Sequence, residues 1–475
     1  MNSKSSKTNN LLKADILTLP YQLSNDVLTK INTILMKEFE RGLKSTQDSV
    51  VKMYLTYVRS LPNKEERGKY LALDLGGTNF RILLIEFNQE NFKIIDLQME
   101  PIPTELFYGT GQQLFDYIAQ HVVDFAIRNK LVGVRIALGF CFSFPVIQRG
   151  LAEATLVTWT KSFDCSGVVG YDVVRLLKAS LKRKMIHSIP FIDVVAIIND
   201  TTGTLICGAL QDKNCKIGLI VGTGSNACYV EKLQKIEKWP FNYGSPDQVV
   251  INCECGAFGD DNVLEFVTTV WDRALNYESL NIDKQIHEKL ISGMYLPELL
   301  RRTIITLIEK GILFQGKAPL ELFKPYSIET KFMSFMDRDP EDLKETIFFI
   351  SNHFKNLEFS EIDAKIVQMV NNRITRRSAN FVANCLWALI KRIDGPNVSI
   401  AYDGSLICLH PHYKKWVEEK LNYLVSLDGL RKKINLIKSS DGSLYGASIV
   451  SAICYREKRP KFIKKAGKIY EITRC

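Results

Sequence analysis

Nothing in the 475 residues is both apolar enough and long enough to cross a bilayer. The most continuous apolar stretch, LVGVRIALGFCFSFPVI, carries Arg135 and Pro145 and falls short of the ~20 residues a spanning helix needs. The opening MNSKSSKTNN has neither the apolar centre of a secretory leader nor an amphipathic pattern for an organelle surface. Also missing are the Gly-Lys-Ser/Thr signature of P-loop nucleotidases and the GxGxxG of dinucleotide-binding oxidoreductases. Eleven cysteines are present, but no two pairs stand at zinc-finger spacing. They are scattered through apolar stretches (Cys141, Cys207, Cys385, Cys454), the usage of a reduced compartment, and the close pair Cys253 and Cys255 reads as structural. A cytosolic protein with no membrane span is expected.

What is present is the composition of an ordinary globular enzyme, 46% hydrophobic and 24% charged. The length exceeds what one core usually supports, so two lobes are expected, packed together because no Pro-, Gly- or Ser-rich linker separates them. The net charge is +10, yet the tail from Arg456 holds eight basic and two acidic residues, and the body is only mildly basic. A short basic tail is a solvated end, and nucleic acid is not an expected partner.

The periodicity predicts a helix over LSNDVLTKINTILMKEFERGL, with Leu23, Val27, Ile31, Ile34 and Leu35 on one face. Strands YLALDL, FRILLIEF and FKIIDLQM, a helix opened by Thr110, and the returning strand VRIALGF suggest a mixed sheet covered by helices. The unit KIGLIVGTGSNACYVE echoes LALDLGGTNFRILLIE, strand, glycine turn, strand, which suggests two related lobes facing one cleft. SEIDAKIVQMVNNRITRRSANFVANCLWALIKRI reads as one very long helix or two collinear ones.

Glycine turns at strand ends present backbone N–H groups that can hold phosphate oxygens. Gly76, Gly77, Thr78 and Asn79 form one such turn after Asp74, whose carboxylate could hold magnesium through water. Gly222-Thr223-Gly224-Ser225-Asn226 is a second, and Asp403-Gly404-Ser405 and Asp441-Gly442-Ser443 close late strands. Each alone reads equally well as a hairpin tip; four together suit a two-lobed phosphate clamp. Asp200, after the strand VVAII, is placed either to accept a hydroxyl proton or to cap the next helix. Thr160 and Lys161, beside Trp159, are either ligands for a polyol or part of a surface strand.

LALDLGGTNFR, LGFCFSFP, TWTKSF, INDTTGTL, IVGTGSNACYVE and NCECGAFGD, in this order, resemble the eukaryotic hexokinase family over residues 23 to 455. The resemblance implies one hexokinase unit with the actin-like fold of two ribonuclease-H-like lobes. On it, residues 1–62 would be a tail and helix on the large lobe, 63–198 the small lobe and 199–445 the large lobe. Residues 446–475 would be a helix returning to the small lobe and a basic tail. It implies ATP-dependent phosphorylation of glucose, fructose or mannose at the 6-hydroxyl, the first step of glycolysis, by a monomer using Mg-ATP. Ser143, Thr160, Lys161, Asn199, Asp200, Asn226, Glu254 and Glu298 would meet the sugar, with Asp200 and Lys161 catalytic. Asp74, Gly76, Gly77, Thr78, Asn79, Arg81, Thr223, Thr330, Ser334, Gly404 and Ser405 would meet the nucleotide. Departures from the family pattern are Cys255 for Trp, Pro297 for Gly before Glu298, Asp164 for a basic residue, and Leu444-Tyr445 inside the late glycine motif. They keep open a catalytically weak sugar-binding regulator. A sugar-independent ATPase is the third expectation.

Overall fold

The computed structural model describes residues 2–89, 91–160, 163–185, 191–340, 342–458, 461–465 and 468–472, with 2–8, 458 and the two tail strands described by backbone alone. Two mixed sheets, each with its own buried cluster, form the two lobes. The small-lobe sheet runs, in spatial order, Asn91–Pro101, Asn79–Asn88, Arg67–Leu75, Arg135–Phe142 and Phe191–Ile198. Its first three strands are antiparallel and the last two join in parallel. The large-lobe sheet repeats the plan with Gln248–Asn252, Ser225–Lys232, Cys215–Val221, Asn397–Asp403 and Lys433–Lys438, plus the short edge strand Tyr54–Leu55. The echo between the two glycine hairpins is therefore architectural. Tyr70–Leu75 and most of Cys215–Val221 are buried without alternation because helices cover both faces.

Local chemistry explains the helices. Ser24 caps Asn25–Lys44 by accepting the Val27 N–H, and the fully buried stripe is Leu28, Ile31, Leu35 and Phe39. Val27 and Ile34 lie at its edge, so the face is turned from the one periodicity alone suggested. Thr110 and Gln113 form a reciprocal capping box on Gly111–Arg128. Glu361–Arg392 is one uninterrupted helix of 32 residues. Its 21 buried positions go round the whole helix, which is why no single amphipathic period marks it.

Two helices make the waist between the lobes. Asp200–Gln211 follows the last small-lobe strand and packs on the large sheet, where a Cβ on Gly218 would lie 2.6 Å from the Thr201 carbonyl oxygen. Gly442–Lys458 packs on the small sheet, where a Cβ on Gly139 would lie 2.0 Å from the Ala447 carbonyl oxygen. The helices cross at Gly203 and Gly446, with 2.3 Å between a Cβ built on Gly446 and Gly203 Cα. Only glycine at both positions allows so close a crossing. A third apolar cluster, including Leu83, Leu205, Val250 and Leu444, fills the space between the sheets.

Candidate active site

The waist brings the chain's strand-end turns to one cleft. On the small lobe Asp74 ends the strand Arg67–Leu75, and its Oδ2 accepts from Arg81 (Nη2 2.5 Å, Nε 3.2 Å) and from the Ser443 hydroxyl (3.1 Å). Arg81 also reaches Asp441 Oδ1 at 2.7 Å, so one guanidinium ties the first hairpin to the start of the waist helix. Beyond it Gly76 and Gly77 expose their backbone, and a Cβ at Gly77 would touch nothing within 4 Å. Thr78 and Asn79 stand at the exposed tip, with Asn79 Nδ2 3.3 Å from Thr78 Oγ1. Ser143 lies just behind, its Oγ 3.8 Å from a Cβ built on Gly76.

The large-lobe turns interlock. Gly404 has φ 109°, and a Cβ there would sit 2.5 Å from the Val221 carbonyl carbon, so the Asp403-Gly404-Ser405 and Gly222-Thr223 turns abut. Gly293 N–H donates to Gly222 O (2.8 Å), and Thr330 Oγ1 donates to Gly293 O (2.6 Å). Thr330 thus braces this turn, and Ser334 lies one helical turn further along Thr330–Met336. Burial pushes the Asp403 carboxyl up, the charges of Asp441 and Asp200 add to the rise, and the Gly404 and Gly442 N–H groups oppose it.

A carboxamide and carboxylate cluster lies at the mouth of the second hairpin. Asn226 Nδ2 donates to Glu254 Oε1 (3.1 Å) and Asn252 Oδ1 (2.8 Å), Asn252 Nδ2 donates to Glu254 Oε1 (2.7 Å), and Asn226 Oδ1 accepts the Glu254 N–H (3.1 Å). Glu254 adopts left-handed φ 56°, ψ 51°, which swings it off the strand and toward the cleft. Burial raises its carboxyl to about 7; Asp200 and Glu288 add to the rise, and the Asn252 and Asn226 hydrogen bonds oppose it. Glu288 Oε2 accepts the Ser225 N–H at 2.9 Å, in the space that a Gly224 Cβ would take.

Asn199, rather than Asp200, caps the helix: its Oδ1 accepts the Thr202 N–H at 3.0 Å. Asp200 Oδ1 accepts from the Thr201 N–H (2.7 Å) and hydroxyl (3.1 Å), an anchoring that fixes the carboxylate at the waist. The Cys141 thiol is buried against it and against Asp74, and burial followed by these two charges raises it well above the usual thiol range. Thr160 is exposed at the end of an irregular segment pinned by Trp159, whose Nε1–H donates to Cys165 O (2.9 Å) and whose ring stacks on Phe163. Trp159 therefore faces the small-lobe core and not the cleft. Lys161 lies outside the described residues.

One expected site residue is elsewhere. Glu298 is 1% exposed and committed to Arg301 (2.5 Å), Arg302 (3.0 Å) and the Tyr326 N–H (2.8 Å), away from the Asn226–Glu254 cluster. Pro297 does not displace it, because Pro297 stands in the first turn of Leu296–Glu309, where its missing N–H has no intrahelical partner to lose. The charge at the cluster comes from Glu288, ten residues earlier. Asn252 and Glu288 were not among the candidates. Asn252 could have been found, since it stands in the same NCECG motif, two residues before Glu254. Cys255 and Cys385 are buried with Sγ atoms 3.5 Å apart, and their thiols are held well above the usual range. No group of three or more His, Cys, Asp or Glu among the described residues could hold a metal ion. No helix among them is long and apolar enough to cross a membrane.

Comparison with known proteins gives one consistent answer. Two family models described as hexokinase match residues 13–210 and 216–453. The chain is 38% identical to rat hexokinase-2 over 457 residues and 39% identical to human hexokinase-2 over 456, each match covering 94% of this chain. It spans about half the length of these curated relatives, 49% and 48%. Among solved structures, a Schistosoma mansoni hexokinase complexed with glucose superposes with TM-score 0.84 at 35% identity, over 94% of this chain and all of that one. A second hexokinase crystal structure gives TM-score 0.81 at 28% identity, over the same shares. The two-sheet architecture is the actin-like ATPase fold. The chain belongs to the hexokinase family.

Proposed function

We propose that the chain transfers the terminal phosphoryl group of Mg-ATP to the 6-hydroxyl of a hexose, with glucose, fructose and mannose as the substrate class. One observation carries this reading. Glu254 is held by Asn226 and Asn252 at the mouth of the Gly222–Asn226 turn, Glu288 accepts the Ser225 N–H of that same turn, and the charge of Asp200 reaches the Glu254 carboxyl. Glu254, Glu288, Asn226 and the Asn199 amide would accept and donate to the sugar hydroxyls, with Ser143, Thr160 and Lys161 contributing from the small lobe. Asp200 would accept the proton of the attacking hydroxyl. Gly76 to Asn79 and Thr223 would hold the phosphates, while Thr330, Ser334, Gly404 and Ser405 would flank the nucleoside.

Magnesium would arrive with the nucleotide. With Asp74 Oδ2 taken by Arg81 and Ser443, a single oxygen remains for a water on the ion, which suits a cation that keeps most of its hydration. Arg81 would hold Asp74 in place, and lobe closure about the Gly203–Gly446 crossing would exclude water. The competing reading, a sugar-binding relative with little turnover, is favoured by Leu444, buried in the interlobe cluster, and by Tyr445, whose ring lies tilted against Phe92, where the family carries a glycine and a basic residue. Coupled assay of the pure protein with Mg-ATP and each of the three hexoses separates them. Turnover of at least about 1 s⁻¹ supports the kinase, and sugar binding without turnover supports the regulator.

A further inference from the structure

The helix Ile286–Ile291 has two working faces. One carries Glu288 to the Ser225 N–H, and buried His287 on the same side holds its Nδ1 3.1 Å from the Cys255 carbonyl oxygen. The opposite face, with Ile286, Lys289 and Leu290, walls a cavity of about 480 Å³ that contains none of the sugar-cluster residues. That size is ordinary for a small-molecule pocket (~300–1,000 Å³). Leu275 and Ile282 complete an apolar wall, and half-exposed Ile282 stands with exposed Tyr277 at the mouth. Inside, Lys289 is 4% exposed. Its ammonium donates to Asn276 Oδ1 (2.8 Å) and Asn281 O (2.7 Å), which leaves one of its three N–H groups for a group entering the cavity.

We propose that this cavity is a regulatory site for an amphipathic monocarboxylate, with its hydrocarbon chain on Leu275, Ile282, Ile286 and Leu290 and its carboxylate on the Lys289 ammonium. The proposal rests on the sugar role given to Glu288: filling the cavity buttresses the helix in the position that holds Glu288 on Ser225, and so tightens sugar binding. The charge balance selects an anion. Burial brings the Lys289 ammonium down to about 8 even though the charges of Asp260, Asp283 and Glu288 hold it up, so the acids present under-compensate it. Asp283 is itself occupied by Asn276 Nδ2 (2.7 Å). Of the other charged groups on the wall, Arg273 is positive, Glu265 negative, and Asp272 is already paired with buried Arg377 through both oxygens (2.6 and 2.7 Å). An entering carboxylate would complete the pairing that a neutral ligand leaves unmade.

Titration calorimetry of the full chain with decanoate, without sugar, tests the site directly. Saturable binding with Kd below about 1 mM is expected, weakened at least about ten-fold in both Lys289→Met and Ile282→Glu. The second variant changes a half-exposed rim residue and leaves the core intact. Glucose Kd, read by intrinsic fluorescence, should fall about five-fold with decanoate present. Absence of saturable binding, or binding kept in either variant, overturns the site; binding that leaves glucose affinity unchanged overturns the coupling. A protein that binds decanoate but no glucose refutes the sugar reading instead, and the cavity stands.

Discussion

Replacing Glu254 with Gln should stabilise the protein at alkaline pH while impairing sugar binding. The carboxyl titrates near 7 in the fold against 4.5 for the free side chain, with burial as the main cause. The folded protein therefore holds this proton longer than the unfolded chain. The group's contribution to stability is full below the unfolded value and is lost as pH rises toward the folded one. The shift corresponds to a penalty of up to about 3 kcal/mol above neutrality, trimmed because Glu254 keeps an edge open to the cleft. Gln retains the Oε1 that accepts from Asn226 and Asn252 but never ionises, so the penalty vanishes. Denaturation midpoints of the two proteins should coincide near about pH 5 and diverge in favour of the variant by about pH 8. The same titration predicts that wild-type glucose affinity rises about ten-fold between about pH 6 and pH 8, since sugar hydroxyls donate to the ionised form. The variant should lose that dependence along with about ten-fold or more of affinity. Parallel stability curves for both proteins from pH 5 to 8 would refute the argument.

Other consequences follow from single contacts. Arg81→Lys cannot join Asp74 to Asp441, and it should raise the KM for Mg-ATP about ten-fold with little change in glucose Kd, measured by initial rates and fluorescence. Gly446→Val would drive a side chain into the Gly203 backbone and should cost about 3 kcal/mol or more, seen as a large drop in melting temperature or as insoluble protein. Glu288→Gln keeps an acceptor for the Ser225 N–H but loses the charge, so glucose Kd should rise about ten-fold or more with melting temperature preserved. Glu298→Gln should do the reverse, lowering stability by about 3 kcal/mol as Arg301 loses its buried partner, and sparing sugar affinity in whatever protein folds.

The contrast between these two glutamates measures what the sequence could reveal. Strand-end turns at Gly76, Gly222 and Gly404 were legible because turn chemistry is local and each turn closes a short, largely apolar run. The duplicated hairpin was legible for the same reason. Glu298 and Glu288 lie in one stretch, and only pairing separates them. Arg301 and Arg302 stand three and four residues after Glu298, the helical spacing of an ion pair, whereas Ile291 and Ser292 occupy those places after Glu288. That signal was available and points to a structural Glu298. Asp200 was ambiguous because a carboxylate after a strand suits a cap as well as a base; Asn199 beside it takes the cap, which only coordinates could decide. The helix Asn2–Leu17 was not foreseen, since its polar sequence carries almost no apolar period.

The claim on which the account turns is that Asp200 acts as a base on a bound hexose. Asp200→Asn preserves size and the acceptor for Thr201 while removing the charge. The account predicts a fall in kcat of about 10²–10⁴ with glucose Kd, by equilibrium titration, within about three-fold of wild type. An Asp200→Asn protein that phosphorylates glucose at the wild-type rate would contradict it.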